Sequence, residues 1–181
     1  SFAHMGLMAA GVLTGTIEGT QGAIFQMFAH GVNAIGLFYV VQVIHERTGT
    51  YSLSALGGIT QKTPVLTIYF MIILLGSVAL PLTNGFVGEF LMLKALFDYN
   101  SWIGGIAGLS IILGAVYMLR SYQAIMLGER RDSAIAFGSL ASSDKWVLYI
   151  ICFVIIVFGV YPKPLNDLAE EGTKAILTYI K

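Results

Sequence analysis

Two ionisable side chains stand in stretches of this sequence that are otherwise apolar. Glu89 lies in Asn84-Gly85-Phe86-Val87-Gly88-Glu89-Phe90-Leu91, flanked by apolar residues. A carboxyl so placed is suited to taking up and releasing protons rather than to carrying a permanent charge. The alternative is a glutamate at a helix end near the membrane interface, or a structural partner of Lys94. A spacing of five is poor for such a pair, since helical neighbours lie three or four residues apart. His30 sits in Gln26-Met27-Phe28-Ala29-His30-Gly31-Val32-Asn33. Gln26, His30 and Asn33 fall at i, i+4 and i+7 and so form one polar stripe on a helix. Gly22 and Ala29 lie near the same face and would let a neighbouring helix approach closely. An imidazole can accept a proton at one nitrogen and donate at the other, which suits a relay. The alternative is a hydrogen-bonded structural histidine. His4 is a further isolated polar group, and His45-Glu46-Arg47 reads as a helix end at the interface.

Other chemistries find no support. The 3 histidines and single cysteine, Cys152, show no metal-ligand spacing. Gly57-Gly58 and Gly104-Gly105 are not followed by the Gly-Lys-Ser/Thr of a phosphate loop. No nucleophile–base pair is recognisable. The 10 Lys+Arg balance the 10 Asp+Glu, so no basic face exists to bind nucleic acid.

The elements that must position these groups follow from composition. Of 181 residues, 56% are hydrophobic and only 11% charged, against about 25% charged in soluble domains. That is too little polar surface for a water-soluble domain, and too hydrophobic for disorder. Charge-free runs cover 1–17, 20–45, 63–87 (interrupted at Pro81-Leu82-Thr83-Asn84-Gly85), 99–119 and 146–162. A spanning helix needs roughly 20 residues, so the chain reads as an all-α polytopic membrane protein with about five transmembrane helices. A lipid-exposed backbone must satisfy its own hydrogen bonds, and the ten-residue alternation of a barrel is not visible. Loops are expected over 46–62, 98–101 and 127–145. Residues 1–164 read as the transmembrane region and 165–181 as an amphipathic tail at the membrane surface. The chain does not open on Met, and its first apolar run reads as continuing from upstream, so it is expected to be the C-terminal part of a larger protein.

The segment 64–97 has 34 residues, too many for one straight span and few for two. If it crosses once, Arg47 and Lys62 share a side with Arg120, Arg130, Arg131 and Lys145, leaving the loops around Glu18 and Asp98 opposite. The positive-inside rule favours that arrangement, with the basic loops cytoplasmic. The segment is therefore expected to be one helix broken at Pro81–Gly85. Pro81 removes a donor, while Asn84 and Gly85 tolerate left-handed geometry. Broken helices at membrane depth build ion sites in many transporters; the alternative is an ordinary proline kink.

Ser1-Phe2-Ala3-His4-Met5-Gly6, Phe28-Ala29-His30-Gly31, Gly36-Leu37-Phe38 and Asn84-Gly85-Phe86-Val87-Gly88-Glu89-Phe90 occur in this order. Together they resemble the C-terminal third of the antiporter-like subunits of proton-pumping NADH:quinone oxidoreductase, respiratory complex I. The likeness extends through Tyr161-Pro162-Lys163-Pro164. In the L and N types, and in multisubunit sodium/proton antiporters, a lysine usually stands at the position of Glu89; a glutamate points to the M type, subunit 4 in mitochondria. The resemblance implies the second half of an inverted-repeat antiporter-like fold, holding the second of two broken helices. It also implies a mid-membrane proton relay in which His4 and His30 match family histidines and Glu89 the terminal acid. Gln26, Asn33 and Lys94 would be supporting polar groups. The implied activity is proton translocation coupled to electron transfer elsewhere, in a bacterial inner membrane rather than a mitochondrial one. No cofactor is implied in this chain; NADH, FMN, iron–sulfur clusters and quinone would belong to partner subunits. The implied partners are other membrane subunits of complex I, chiefly the L and N types, and the lipid bilayer. Rival readings are a subunit of a multisubunit cation/proton antiporter or membrane-bound hydrogenase, or a passive membrane scaffold.

Overall fold

The structure, a computed structural model, describes residues 1–129 and 138–180. Arg130 and Arg131, which enter the charge argument, lie outside the described residues. Among those described, seven α-helices form: α1 (Phe2–Leu13), α2 (Ile17–Thr48), α3 (Pro64–Ser77), α4 (Asn84–Tyr99), α5 (Ser101–Met126), α6 (Ser142–Val160) and α7 (Lys163–Ile180). The expected loops shrink accordingly, with Glu46 inside α2 and Lys145 inside α6. Helices α2, α5 and α6 are long and apolar enough to cross a membrane, while α1 and α3 are shorter apolar helices.

Local chemistry sets several boundaries. The Thr16 hydroxyl accepts from the Gly19 amide to start α2, and Gly49 closes it in a left-handed conformation with φ 69°. Pro64 occupies the first turn of α3, where its missing donor costs nothing. The Asn100 side chain accepts from the Trp102 and Ile103 amides to start α5.

The break lies slightly upstream of its expected place, and for a reason Pro81 supplies. A proline ring collides with the carbonyl four residues earlier and disfavours helix at the residue before it. Four residues before Pro81 is Ser77, and α3 ends there. The unwound stretch is therefore 78–83 rather than 81–85. Its left-handed residues are Ala79 (φ 55°) and Leu82 (φ 74°), not Asn84 or Gly85. Within it, the Thr83 amide and hydroxyl both donate to the Leu80 carbonyl, at 3.0 and 2.6 Å. Asn84 and Gly85 form the first turn of α4, where a Cβ on Gly85 would collide with the Gly76 carbonyl.

Helices α3 and α4 together cross once. Along α2, Gly36 meets Ile73, Asn33 lies beside Gly76, Gln26 meets Gly88, and Gly22 meets Leu91 and Met92. As numbers fall along α2 they rise along its partner, so both pieces run antiparallel to α2 through the break. One apolar cluster joins α2, α3, α5 and α6 around Val40, Phe70, Ile73, Met126, Leu148 and Ile155. A second joins α1, α2 and α4 around Leu7, Met8, Ala23, Met92 and Leu96. Outward faces carry Trp102, Ile106, Leu113, Trp146 and Phe153, while Gln26, Asn33, Asn84 and Glu89 are buried. Apolar outside and polar within is the distribution a bilayer requires. Helix α7 begins at Lys163, two residues before the expected tail, and packs against α2 with Thr173 buried.

Candidate proton-relay site

The restart of the helix at Asn84 places Glu89 in the second turn of α4, on the face against α2 and α1. Glu89 is 3% exposed. Its Oε1 accepts from Gln26 Nε2 at 3.2 Å and lies 3.0 Å from His4 Nε2. The other carboxyl oxygen, Oε2, and His4 Nδ1 are buried with no hydrogen-bond partner among the described residues. His4 in turn faces His30, their rings 5.1 Å apart between centroids and tilted by 33°. Thus α1, α2 and α4 each supply part of one row, His30–His4–Glu89, with Gln26 bracing its end.

Glycines make this approach possible. Gly22 of α2 lies against Leu91, Met92 and the Gly88 carbonyl, and Gly88 of α4 lies directly on Gln26. The close seam presses Gln26 onto Glu89. Proton transfer needs heavy atoms at roughly 2.6–3.2 Å, and the His4–Glu89 pair meets that condition. With a proton on Nε2, His4 donates to the carboxylate; once protonated on both nitrogens it forms an ion pair with it. His30 and His4 are in ring contact, so transfer between them needs a bridging group such as water.

The remaining expected residues separate into two groups. Asn33 and Asn84 are buried at the break, and their Oδ1 atoms both approach Gly76. Asn33 Oδ1 and both Asn84 amide atoms have no partner among the described residues. Lys94 is not joined to Glu89. It is half exposed, 3.5 Å from Glu18 and 4.0 Å from Asp98 at the end of α4. Pro81 shapes the site indirectly, through the end of α3. Among the described residues no three His, Cys, Asp or Glu side chains converge to hold a metal. Three hydroxyl residues were not singled out from the sequence: Ser77, Ser110 and Tyr117 line a cavity of about 20 Å³ together with His4 and Glu89. Hydroxyls are common in membrane helices, and nothing in their spacing marks these three.

Residues 1–116, which contain the whole row, match the family described as NADH:quinone oxidoreductase/Mrp antiporter, TM. The chain belongs to this family. Its relatives include NADH-quinone oxidoreductase subunit M of Rickettsia felis, 41% identical over 98% of this chain and 36% of that protein. Subunit M of Rhodobacter capsulatus is 36% identical over 93% of this chain and 33% of that protein. The chain therefore spans about a third of the length of the curated relatives it matches. Among solved structures, respiratory complex I from Thermus thermophilus superposes with a TM-score of 0.83 at 33% identity, covering 94% of this chain and 37% of that one. The Mrp complex from Dietzia sp. shares the fold at 22% identity, with a TM-score of 0.73 over 94% of this chain and 19% of that one. The all-α antiporter-like architecture expected from the family resemblance is thus the one observed.

Proposed function

We propose that this chain forms a proton-carrying membrane segment of an M-type subunit of NADH:quinone oxidoreductase. In this reading His30, His4 and Glu89 pass protons within the membrane, driven by electron transfer elsewhere in the complex. The observation that carries it is the buried contact of His4 Nε2 with Glu89 Oε1 at 3.0 Å, backed by the His4–His30 ring contact. A buried acid held by a histidine and an amide can load and unload a proton without a permanent unpaired charge. The names of the subunit M relatives support the assignment to complex I. The host membrane is the bacterial inner membrane. The partners are other membrane subunits, chiefly the neighbouring L and N types. NADH, FMN, iron–sulfur clusters and quinone reside in partner subunits.

The test is Glu89→Gln in the complete complex, read as NADH-driven proton uptake into membrane vesicles. Glutamine keeps the shape and still accepts from His4, but carries no titrating proton. Pumping should fall by about 10²-fold in an assembled complex, the usual contribution of a positioned proton-transfer group. Wild-type pumping by an assembled variant would falsify the relay. Failure to assemble in both Glu89→Gln and Glu89→Ala would instead favour a scaffold role.

A further inference from the structure

The outer face of α6 carries a hollow that the proton row does not use. It measures about 400 Å³ and lies between α3 and the first two turns of α6, lined by Tyr69, Ser142, Lys145, Trp146 and Tyr149. That volume falls within the roughly 300–1,000 Å³ typical of small-ligand sites. Below it the Cys152 thiol donates to the Tyr69 carbonyl at 3.7 Å and closes α6 onto α3. Lys145 is exposed, and no carboxylate pairs with its ammonium among the described residues. The acid beside it in sequence is already compensated: Asp144 pairs with Arg47 at 3.2 Å and accepts from the Tyr39 hydroxyl at 3.0 Å. The hollow therefore keeps one positive charge of its own. Trp146 meets Tyr149 edge-on at 5.9 Å between centroids, and Tyr149 stacks on Phe153 at 6.3 Å. All three rings are more than half exposed. At 1.5 Å per residue, the ladder reaches about 12 Å down the helix from Lys145.

We propose that this hollow binds an anionic phospholipid, its phosphodiester on Lys145 and Ser142 and an acyl chain along Trp146, Tyr149 and Phe153. Side, depth and charge choose this occupant. The Asp144–Arg47 pair fixes the start of α6 at the basic end of α2. The positive-inside rule assigns that end to the cytoplasm, whose leaflet carries anionic lipid. Basic pockets between membrane helices on that side hold acidic headgroups. Trp and Tyr favour headgroup depth, whereas a soluble anion would leave the ring ladder uncovered. A neighbouring protein helix fits less well, since lysine is depleted from protein–protein contacts. The site stands apart from the row of His30, His4 and Glu89 and does not depend on the proton-carrying reading.

The test places the complete complex in phosphatidylcholine vesicles with a trace of photoreactive phosphatidylglycerol or of photoreactive phosphatidylcholine. Labelled positions are mapped by mass spectrometry. The phosphatidylglycerol probe should label residues 142–153 about fivefold more than the phosphatidylcholine probe, the worth of one lysine beside anionic lipid. Lys145→Ala should abolish that preference and Lys145→Arg should keep it; the side chain is exposed, so both variants should assemble. Lys62→Ala, on the same side but outside the hollow, should leave it unchanged. Equal labelling by the two probes overturns the site, and so does a preference that survives Lys145→Ala. Absence of label from both probes also overturns it, because a protein surface would then cover this face. Displacement of the label by excess inorganic phosphate would overturn the lipid in favour of a soluble anion.

Discussion

Substituting Gly88 by alanine should pry α4 away from α2 at the height of Glu89. A Cβ at Gly88 would stand 2.7 Å from Gln26 Oε1, 2.8 Å from Gln26 Cβ and 2.8 Å from the Gln26 backbone nitrogen. The last atom cannot rotate aside. Ordinary contact begins at 3.4 Å, so α4 must retreat by about 0.6 Å, a strain of the kind that costs roughly 1–3 kcal/mol in a packed core. Alanine recovers about 1 kcal/mol through its greater helix propensity, leaving a net destabilisation of about 0–2 kcal/mol. The functional effect is larger. Added to the 3.2 Å bond from Gln26 Nε2 to Glu89 Oε1, the same retreat takes it beyond hydrogen-bonding range. Misplacement on the order of 1 Å can cost about 10²-fold in rate, so uptake should fall by ten- to hundredfold. Gly105→Ala and Gly108→Ala are the controls, since neither added Cβ would meet anything within 4 Å. The assay is proton uptake by vesicles holding the complete complex, beside its heat-inactivation midpoint. Equal uptake by Gly88→Ala and Gly105→Ala would refute the claim that the glycine seam positions the acid.

Two further outcomes follow from the break and from the end of α4. Leu82 holds φ 74° with an exposed side chain, and left-handed backbone costs a non-glycine residue about 1–2 kcal/mol. Leu82→Gly relieves that cost against about 0.4–1 kcal/mol of added unfolded-state entropy; the inactivation midpoint should hold or rise, and a clear fall would sink the strain assignment. Lys94→Ala removes a half-exposed partner of Glu18 and Asp98. Exposed pairs contribute about 0–1 kcal/mol, so uptake should stay within twofold of wild type. A loss comparable to that of Glu89→Gln would show that Lys94 supports the row after all.

Much of the fold was legible because a bilayer imposes a simple code. Charge-free runs mark α2, α5 and α6 directly. The side preference of Arg and Lys points to a single crossing of α3 and α4, and the order of contacts along α2 bears that out. Glu89, His30, His4 and Gln26 stand out as polar groups in apolar surroundings, and they are the groups that meet. Taking Pro81 as the start of the break places it a few residues late. The ring acts backwards, on the carbonyl of Ser77, so unwinding begins before the proline. Lys94 illustrates a different limit: its distance along α4 from Glu89 argued against a direct pair, but not for Glu18, which belongs to another helix.

From sequence alone come the membrane class, the single broken element made by α3 and α4, and a short set of polar residues set in apolar surroundings. Those properties depend on hydropathy, proline and helical periodicity, which are local. Tertiary structure decides which of these residues touch. Gln26 and Glu89 are 63 positions apart, and their bond exists because glycines on two helices let the backbones close together. The His4–Glu89 contact and the cavity with Ser77, Ser110 and Tyr117 arise in the same way. Helical spacing assigns a side chain to a face; only packing assigns the face its neighbour, and a proton relay is built from neighbours.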